Sequence, residues 1–248
     1  MWAWSWLFLA GLWAGAQNAL AGGGSFVTLP ALILERLDAR AANITSTIAL
    51  FPGQVTTGLV GRRMVSGAER LSFRALFVIS LAGGAVGAFL LLETPAGFFS
   101  KLVPWLVLIA TGVFAWEAFF GKPTQAVVAL SRFAAGSAQF LIAIYGGYFG
   151  GGISLLMLAT FAAASMRVHT AEATKNVLAG VMNASAVALF AFSRDVYWLP
   201  AFMLGIGAIA GGLLGAWLLM GVNDRALRIG IVTLGIALTA GLFLYSPL

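Results

Sequence analysis

The sequence contains no cysteine and a single histidine, His169. A disulfide framework and a thiolate metal site are therefore excluded, and one imidazole cannot supply a multi-histidine metal centre or a haem pair. Neither a cofactor nor a metal is expected. Charge is equally scarce: 9% of the 248 residues are Asp, Glu, Lys or Arg, where a soluble domain carries roughly a quarter. What fills the chain instead is apolar, 61% of residues, with a mean hydropathy of +0.98.

A membrane span needs about 20 mostly apolar residues, and eight such stretches can be drawn with short joints between them. No part is left for a separate soluble domain. The expected fold class is all-α, a polytopic membrane helix bundle whose main partner is the lipid bilayer. The net charge of +6 would suggest nucleic acid in a soluble chain. Here the basic residues sit in joints between spans, where membrane orientation explains them, and no nucleic acid is expected. Residues 1–24 have the length of a signal peptide, with Ala19-Leu20-Ala21 as a small-residue cleavage site. They lack a basic leading region and recur as a unit later in the chain, so they are expected to stay as a structural segment.

The chain repeats itself. Gly22-Gly23-Gly24 is answered 128 positions later by Gly150-Gly151-Gly152. At the same offset, the ten residues 82–91 match 210–219 at seven positions. Two matches at one offset point to a tandem duplication, with a first repeat over residues 1–122 and a second over 123–248. Each half opens with an apolar segment broken by three glycines (2–34; 129–164). A more polar span (44–61; 173–192), a glycine-rich span (71–92; 196–220) and a final apolar span (98–119; 226–245) follow. A glycine costs about 1 kcal/mol in a helix relative to alanine, so three together predict a break or a re-entrant turn.

How that broken segment crosses decides how the halves are related. A single crossing leaves the repeats parallel and divides the 14 basic residues evenly, against the positive-inside rule. A segment that enters and leaves on one face gives each half an odd number of crossings and inverts the second. Arg62, Arg63, Arg70, Arg74, Lys122, Arg132, Arg167, Lys175, Arg225 and Arg228 then share one side, and Arg36, Arg40, Lys101 and Arg194 lie opposite. The inverted arrangement is preferred, with both termini on the periplasmic side.

The run Ala14-Gly15-Ala16-Gln17-Asn18-Ala19-Leu20-Ala21-Gly22-Gly23-Gly24-Ser25, its partner Gly146-Gly147-Tyr148-Phe149-Gly150-Gly151-Gly152, and the duplicated layout resemble the sulfite exporter TauE/SafE family over essentially the whole chain. The resemblance implies a permease for sulfur-containing anions, such as sulfite or an organosulfonate, in a bacterial inner membrane. Individual substrate, direction, coupling ion and oligomeric state stay open.

Inverted repeats with broken helices commonly build a midplane site in which half-helix amino termini face an anionic group. Asn18, Gly22, Gly23, Gly24 and Ser25 in the first break, and Gly150, Gly151, Gly152 and Ser154 in the second, are the candidates for it. Simple close packing of helices is the competing reading of the glycines. Asn176, Gly180 and Asn183 form a polar stripe at i, i+4 and i+7, and their counterparts 129 positions earlier are Thr47, Phe51 and Gln54. Thr47, Gln54, Asn176 and Asn183 are expected to line the path, interhelical hydrogen bonding being the alternative. Gly83, Gly87, Gly207, Gly211 and Gly215 have small-xxx-small spacing and are assigned to packing. The carboxylates fall near span ends; Glu172 and Lys175, a turn or two into their helix, are candidates for ion pairing or coupling. An intramembrane enzyme would need an activated nucleophile, and Ser25 has no evident base. A secondary transporter for a small anion is the expected function, with an anion channel of the same fold as the alternative.

Overall fold

The computed structural model describes residues 2–20, 23–68, 71–120, 131–163, 166–218 and 224–245. Among these, ten helices follow one another: α1 (Trp2–Leu20), α2 (Ser25–Leu34), α3 (Ala39–Gly61), α4 (Phe73–Glu93), α5 (Ala96–Phe120), α6 (Arg132–Tyr148), α7 (Ile153–Ala163), α8 (Val168–Phe190), α9 (Trp198–Leu218) and α10 (Asp224–Tyr245). The fold class is all-helical, and α1–α5 correspond one by one to α6–α10. The boundary expected between residues 122 and 123 lies outside the described residues, as does Gly22.

Polar residues in the joints start the helices. Asp38 accepts from the N–H groups of Arg40 and Ala41 ahead of α3, while Ser72 and Ser131 accept from Ala75 and Ala134 at the starts of α4 and α6. Such caps satisfy amide donors that the first helical turn leaves without partners. The two glycine-rich breaks lie between α1 and α2 and between α6 and α7. Gly23 (φ +84), Gly150 (φ +80) and Gly152 (φ +77) take the left-handed backbone that other residues adopt only under strain. The turns are not copies: Gly24, the counterpart of Gly152, is right-handed with φ −53.

Each broken segment folds back on itself. Beyond the first turn, Gly24 packs against Ala14 of α1, and the Trp6 indole N–H at the start of α1 donates to the Glu35 carboxylate at the end of α2 over 2.6 Å. α2 thus retraces α1 and ends where α1 began. In the second half Gly146 packs on Ile153, and Gln139, two turns earlier in α6, reaches Met157 of α7. With 10 and 11 residues, α2 and α7 are each about 15 Å long, half the hydrocarbon thickness.

The halves exchange helices. The main partner of α1 is α9, and that of α6 is α4. Along the first seam Gly11 and Gly15 lie against the carbonyls of Leu204 and Ala208, while Gly207 and Gly211 lie against those of Phe8 and Leu12. Residue numbers rise together, so α1 and α9 run parallel. Along the second seam Gly83 meets Phe140 and Ala143, Gly87 meets Ile144 and Tyr148, and Gly147 meets Gly84, again in parallel. The glycines assigned to close packing do pack closely, as expected where van der Waals contact replaces the hydrophobic drive.

The equivalent polar helices α3 and α8 meet at the centre with opposite direction. Thr45 bonds the Asp195 carbonyl, Gln54 bonds Asn183, Gly58 lies on Asn176, and the Ser66 N–H donates to Thr174. Residues from both halves are clasped where α3 starts: Arg40 pairs with Asp195 at 2.8 Å and donates to the Thr94 carbonyl at 2.7 Å. That face, termed the terminal face because α1 starts and α10 ends there, carries Arg36, Arg40, Lys101 and Arg194. The opposite face receives Arg62, Arg63, Arg74, Arg132, Arg167 and Lys175, together with the first turns of α10 that hold Arg225 and Arg228. Arg70 and Lys122 lie outside the described residues.

Among the described residues, three helical stretches are by themselves long and apolar enough to cross a membrane: Phe73–Glu93, Ala96–Val113 and Trp198–Gly215. This is fewer than the eight spans expected. α3 and α8, at 23 residues each, have the length, but polar side chains directed at the centre of the bundle dilute their hydropathy.

The glycine seams make a direct prediction. Gly211→Ala or Gly87→Ala places a methyl against a neighbouring backbone and should destabilise the purified protein by about 1–3 kcal/mol. Gly112→Ala on α5, where nothing lies within 4 Å, should leave stability unchanged or raise it by up to about 1 kcal/mol. Thermal unfolding in detergent distinguishes them; equal shifts at all three positions would refute close packing at the seams.

Candidate functional site

Both hairpin turns and both polar helices converge on one polar cavity of about 30 Å³. It is lined by Asn18 at the end of α1, Gly23 and Ser25 at the first turn, Gln54 and Thr57 of α3, Gly150, Ile153 and Ser154 at the second turn, and Asn176 and Ala179 of α8. The amino-terminal turns of α2 and α7 therefore reach the same space. In α2 the Phe26, Val27 and Thr28 N–H groups bond the Gly23 and Gly24 carbonyls, so what each terminus brings is chiefly a partial positive charge of roughly half an elementary unit. The volume suits one or two water molecules.

The first turn is held from behind. Trp13 donates to the Gln17 amide oxygen at 3.1 Å, and the Gln17 amide nitrogen donates to the Gly23 carbonyl at 3.0 Å. That bond occupies the carbonyl of the break and leaves its N–H side to the cavity. In the second half, Asn43 of α3 is 2% exposed and donates to the Tyr148 carbonyl. It satisfies the end of α6 just before the chain turns.

Among the described residues, the side chains of Asn18, Ser25, Ser154 and Asn176 have no hydrogen-bond partner. Polar groups at membrane depth need partners or water, so this grouping implies a wetted space. Thr57 donates its hydroxyl proton to the Gly53 carbonyl at 2.8 Å and so presents lone pairs to the cavity. The Asn183 amide donates to the Gln54 amide oxygen at 2.5 Å, and its own oxygen is buried without a partner. Thr57, Asn176 and Ala179 all lie toward the opposite face from the Gln54–Asn183 bond, so this bond closes the cavity on the terminal side. The Arg40–Asp195 clasp lies beyond it.

Of the residues singled out in the sequence, Asn18, Gly23, Ser25, Gln54, Gly150, Ser154 and Asn176 share this cavity. Asn183 touches it through Gln54. Thr47 does not reach it: its hydroxyl donates to Asn43 in its own helix, on the terminal side of Gln54. Gly24 packs on Ala14. Gly151 and Gly152 line a separate, apolar recess of about 260 Å³ beside Ala110 and Tyr145. Glu172 and Lys175 form an ion pair at 2.5 Å within α8, outside the cavity, with the lysine side chain 5% and the carboxylate 43% exposed. Among the described residues no cluster suited to a metal occurs. Thr57 escaped the sequence reading, although its position three residues beyond Gln54 places it on the same helix face.

Magnitudes limit what such a site can do. A bare anion loses on the order of 20 kcal/mol of hydration in the idealised Born limit. A helix terminus returns at most about 2 kcal/mol. Two termini therefore need direct amide and hydroxyl contacts and retained water to hold an anion.

Comparison with known proteins adds an independent line. The family model described as sulfite exporter TauE/SafE matches residues 7–242. A protein of Haemophilus influenzae named "Probable membrane transporter protein" is 26% identical over 239 residues, covering 94% of this chain and 92% of that protein. A Sinorhizobium protein named "Probable membrane transporter protein ORF9" is 27% identical over 235 residues, covering 94% and 89%. The Escherichia coli "Probable membrane transporter protein YfcA" is 24% identical over 242 residues, covering 95% and 88%. No solved structure matches the chain.

The Gln54–Asn183 bond changes what substitution there should do. From the sequence, Gln54→Leu and Asn183→Leu are expected to impair passage while sparing stability. In the structure, Gln54→Leu strands the buried Asn183 amide and should cost about 1–3 kcal/mol. The double variant Gln54→Leu/Asn183→Leu should recover much of that loss. A double-mutant cycle on thermal unfolding checks this, and strictly additive losses would show that the two amides do not depend on each other.

Proposed function

The chain belongs to the sulfite exporter TauE/SafE family, and on that premise we propose that it is a secondary transporter for a small anion, sulfite or an organosulfonate, that works by alternating access. Its relatives are named as membrane transporters rather than enzymes, and membrane transport is the function of this chain at that level. The observation that supports the finer reading is the single cavity shared by the two hairpin turns. Re-entrant helix ends at membrane depth are tolerated where they line a polar space, and paired half-helix amino termini suit an anion.

On this reading the halves are inverted repeats in a bacterial inner membrane. The antiparallel crossing of equivalent helices α3 and α8, and the meeting of equivalent residues Gln54 and Asn183, support a two-fold axis in the membrane plane. The crowding of basic residues on the opposite face makes that face cytoplasmic and both termini periplasmic. The cavity then belongs to an inward-directed state, with Gln54–Asn183 and Arg40–Asp195 closing the periplasmic side. A two-fold axis sends equivalent residues to opposite faces, so Thr47 is the outward counterpart of Asn176. Thr47 enters the path when the repeats exchange roles. A channel would leave both ends open together; the clasp at Arg40 and Asp195 favours a carrier.

Two experiments test the proposal. In proteoliposomes, sulfite or a small sulfonate should be taken up with saturation and counterflow, and Asn176→Leu or Thr57→Val should cut the rate at least about tenfold, several times the effect of a surface change, with little change in unfolding temperature. Wild-type flux in both folded variants would remove the cavity from the path. Reporter fusions after Tyr245 and within residues 62–68 should sit on opposite sides of the membrane, the latter in the cytoplasm. The reverse placement would overturn the orientation.

A further inference from the structure

We infer that the cavity admits singly charged anions and rejects dianions, so that a diprotic oxyanion is carried in its hydrogen form. The inference rests on the anion-transport reading above and sharpens it. None of the ten residues lining the cavity carries a charge. The fixed positive field comes from two helix termini, each equivalent to about half an elementary charge, which together match about one negative charge. Desolvation rises with the square of the charge, so a dianion meets about four times the penalty of a monoanion in the Born limit. The second charge has nothing to answer it.

The arginine and the lysine borne by the two polar helices are already committed. Lys175, beside Asn176 in sequence, is paired to Glu172 within its own helix, and Arg40 is paired to Asp195 across the halves. Neither supplies net charge to the cavity. The hydrogen-bonding character of the lining points the same way. Thr57, which lines the cavity, spends its hydroxyl proton on the Gly53 carbonyl. Its oxygen repels a second anionic oxygen and can accept a bond from a solute O–H. Asn18, Ser25, Ser154 and Asn176 have N–H or O–H groups free to donate to the anionic oxygens. A hydrogen oxyanion offers both kinds of partner; a sulfonate offers one negative charge capped by carbon.

The test uses the full chain in proteoliposomes with three probes. Methanesulfonate is a fixed monoanion, sulfate a fixed dianion, and sulfite exchanges between the two forms near neutral pH. Methanesulfonate should bind or be carried with an affinity that is flat in pH, and sulfate should compete at least about tenfold more weakly. Sulfite should weaken by about tenfold per pH unit above its second ionisation, because the hydrogen form is depleted at that rate. The folded Asn176→Lys variant, which adds one cation to the lining, should move sulfate toward parity with methanesulfonate. Equal competition by sulfate in the wild type, or sulfite that tightens as pH rises, overturns the charge rule while leaving anion transport standing. Failure of all three probes to bind or move overturns the anion reading and the charge rule with it.

Discussion

A backbone amide inside hydrocarbon must find a partner, and this constraint governs the whole molecule. Continuous helices meet it internally. The two helical hairpins, broken at Gly23 and at Gly150–Gly152, do not, so the bundle must bring both breaks to a shared polar space. Gln17 and Asn43 satisfy carbonyls around the turns, and the amino-terminal ends of α2 and α7 reach the cavity. Glycine serves here as turn former; elsewhere it serves as spacer. At the α1–α9 and α4–α6 seams it lets helices approach to backbone contact and so locks each hairpin to the opposite half.

This exchange of helices gives the proposed transport cycle a mechanical basis. Each hairpin packs on the glycine-rich helix of the other half, so in the proposed cycle a shift of one half moves a cavity wall contributed by the other. The α3–α8 contact is lighter and more polar, resting on Gln54–Asn183 and closed at the terminal face by Arg40–Asp195. Such a contact can part and reform, whereas interlocked glycine seams must move as units. The cavity, closed on the terminal side, is consistent with an inward-directed stage of that cycle.

Much of this was legible in the sequence because duplication writes every feature twice. The paired triplets located both breaks, and the boundaries of the polar and glycine-rich helices fall within about five residues of those expected. Gln54, Asn176, Ser25 and Ser154 stood out as polar groups in apolar surroundings. What sequence alignment could not show is that equivalent positions need not do equivalent work at one moment. Thr47 aligns with Asn176 yet lies on the other side of Gln54, and Gly152 aligns with Gly24 yet turns with the opposite hand. Arg40 and Asp195, 155 residues apart by their numbering, join through no periodicity. The bond between Gln54 and Asn183 depends on the antiparallel crossing, which charge counting alone supports only indirectly.

The absence of native cysteine allows the central claim, a single site reached alternately from two faces through inverted halves, to be tested with single cysteines. Asn176→Cys and Thr47→Cys occupy aligned positions on opposite sides of the Gln54–Asn183 bond. Labelling by a membrane-impermeant thiol reagent, applied separately to each face, reads their exposure during transport. The account predicts that Asn176→Cys is labelled from the cytoplasmic face and Thr47→Cys from the periplasmic face, with substrate shifting the two rates in opposite directions. Labelling of both positions from the same face, or rates that rise and fall together, would contradict it.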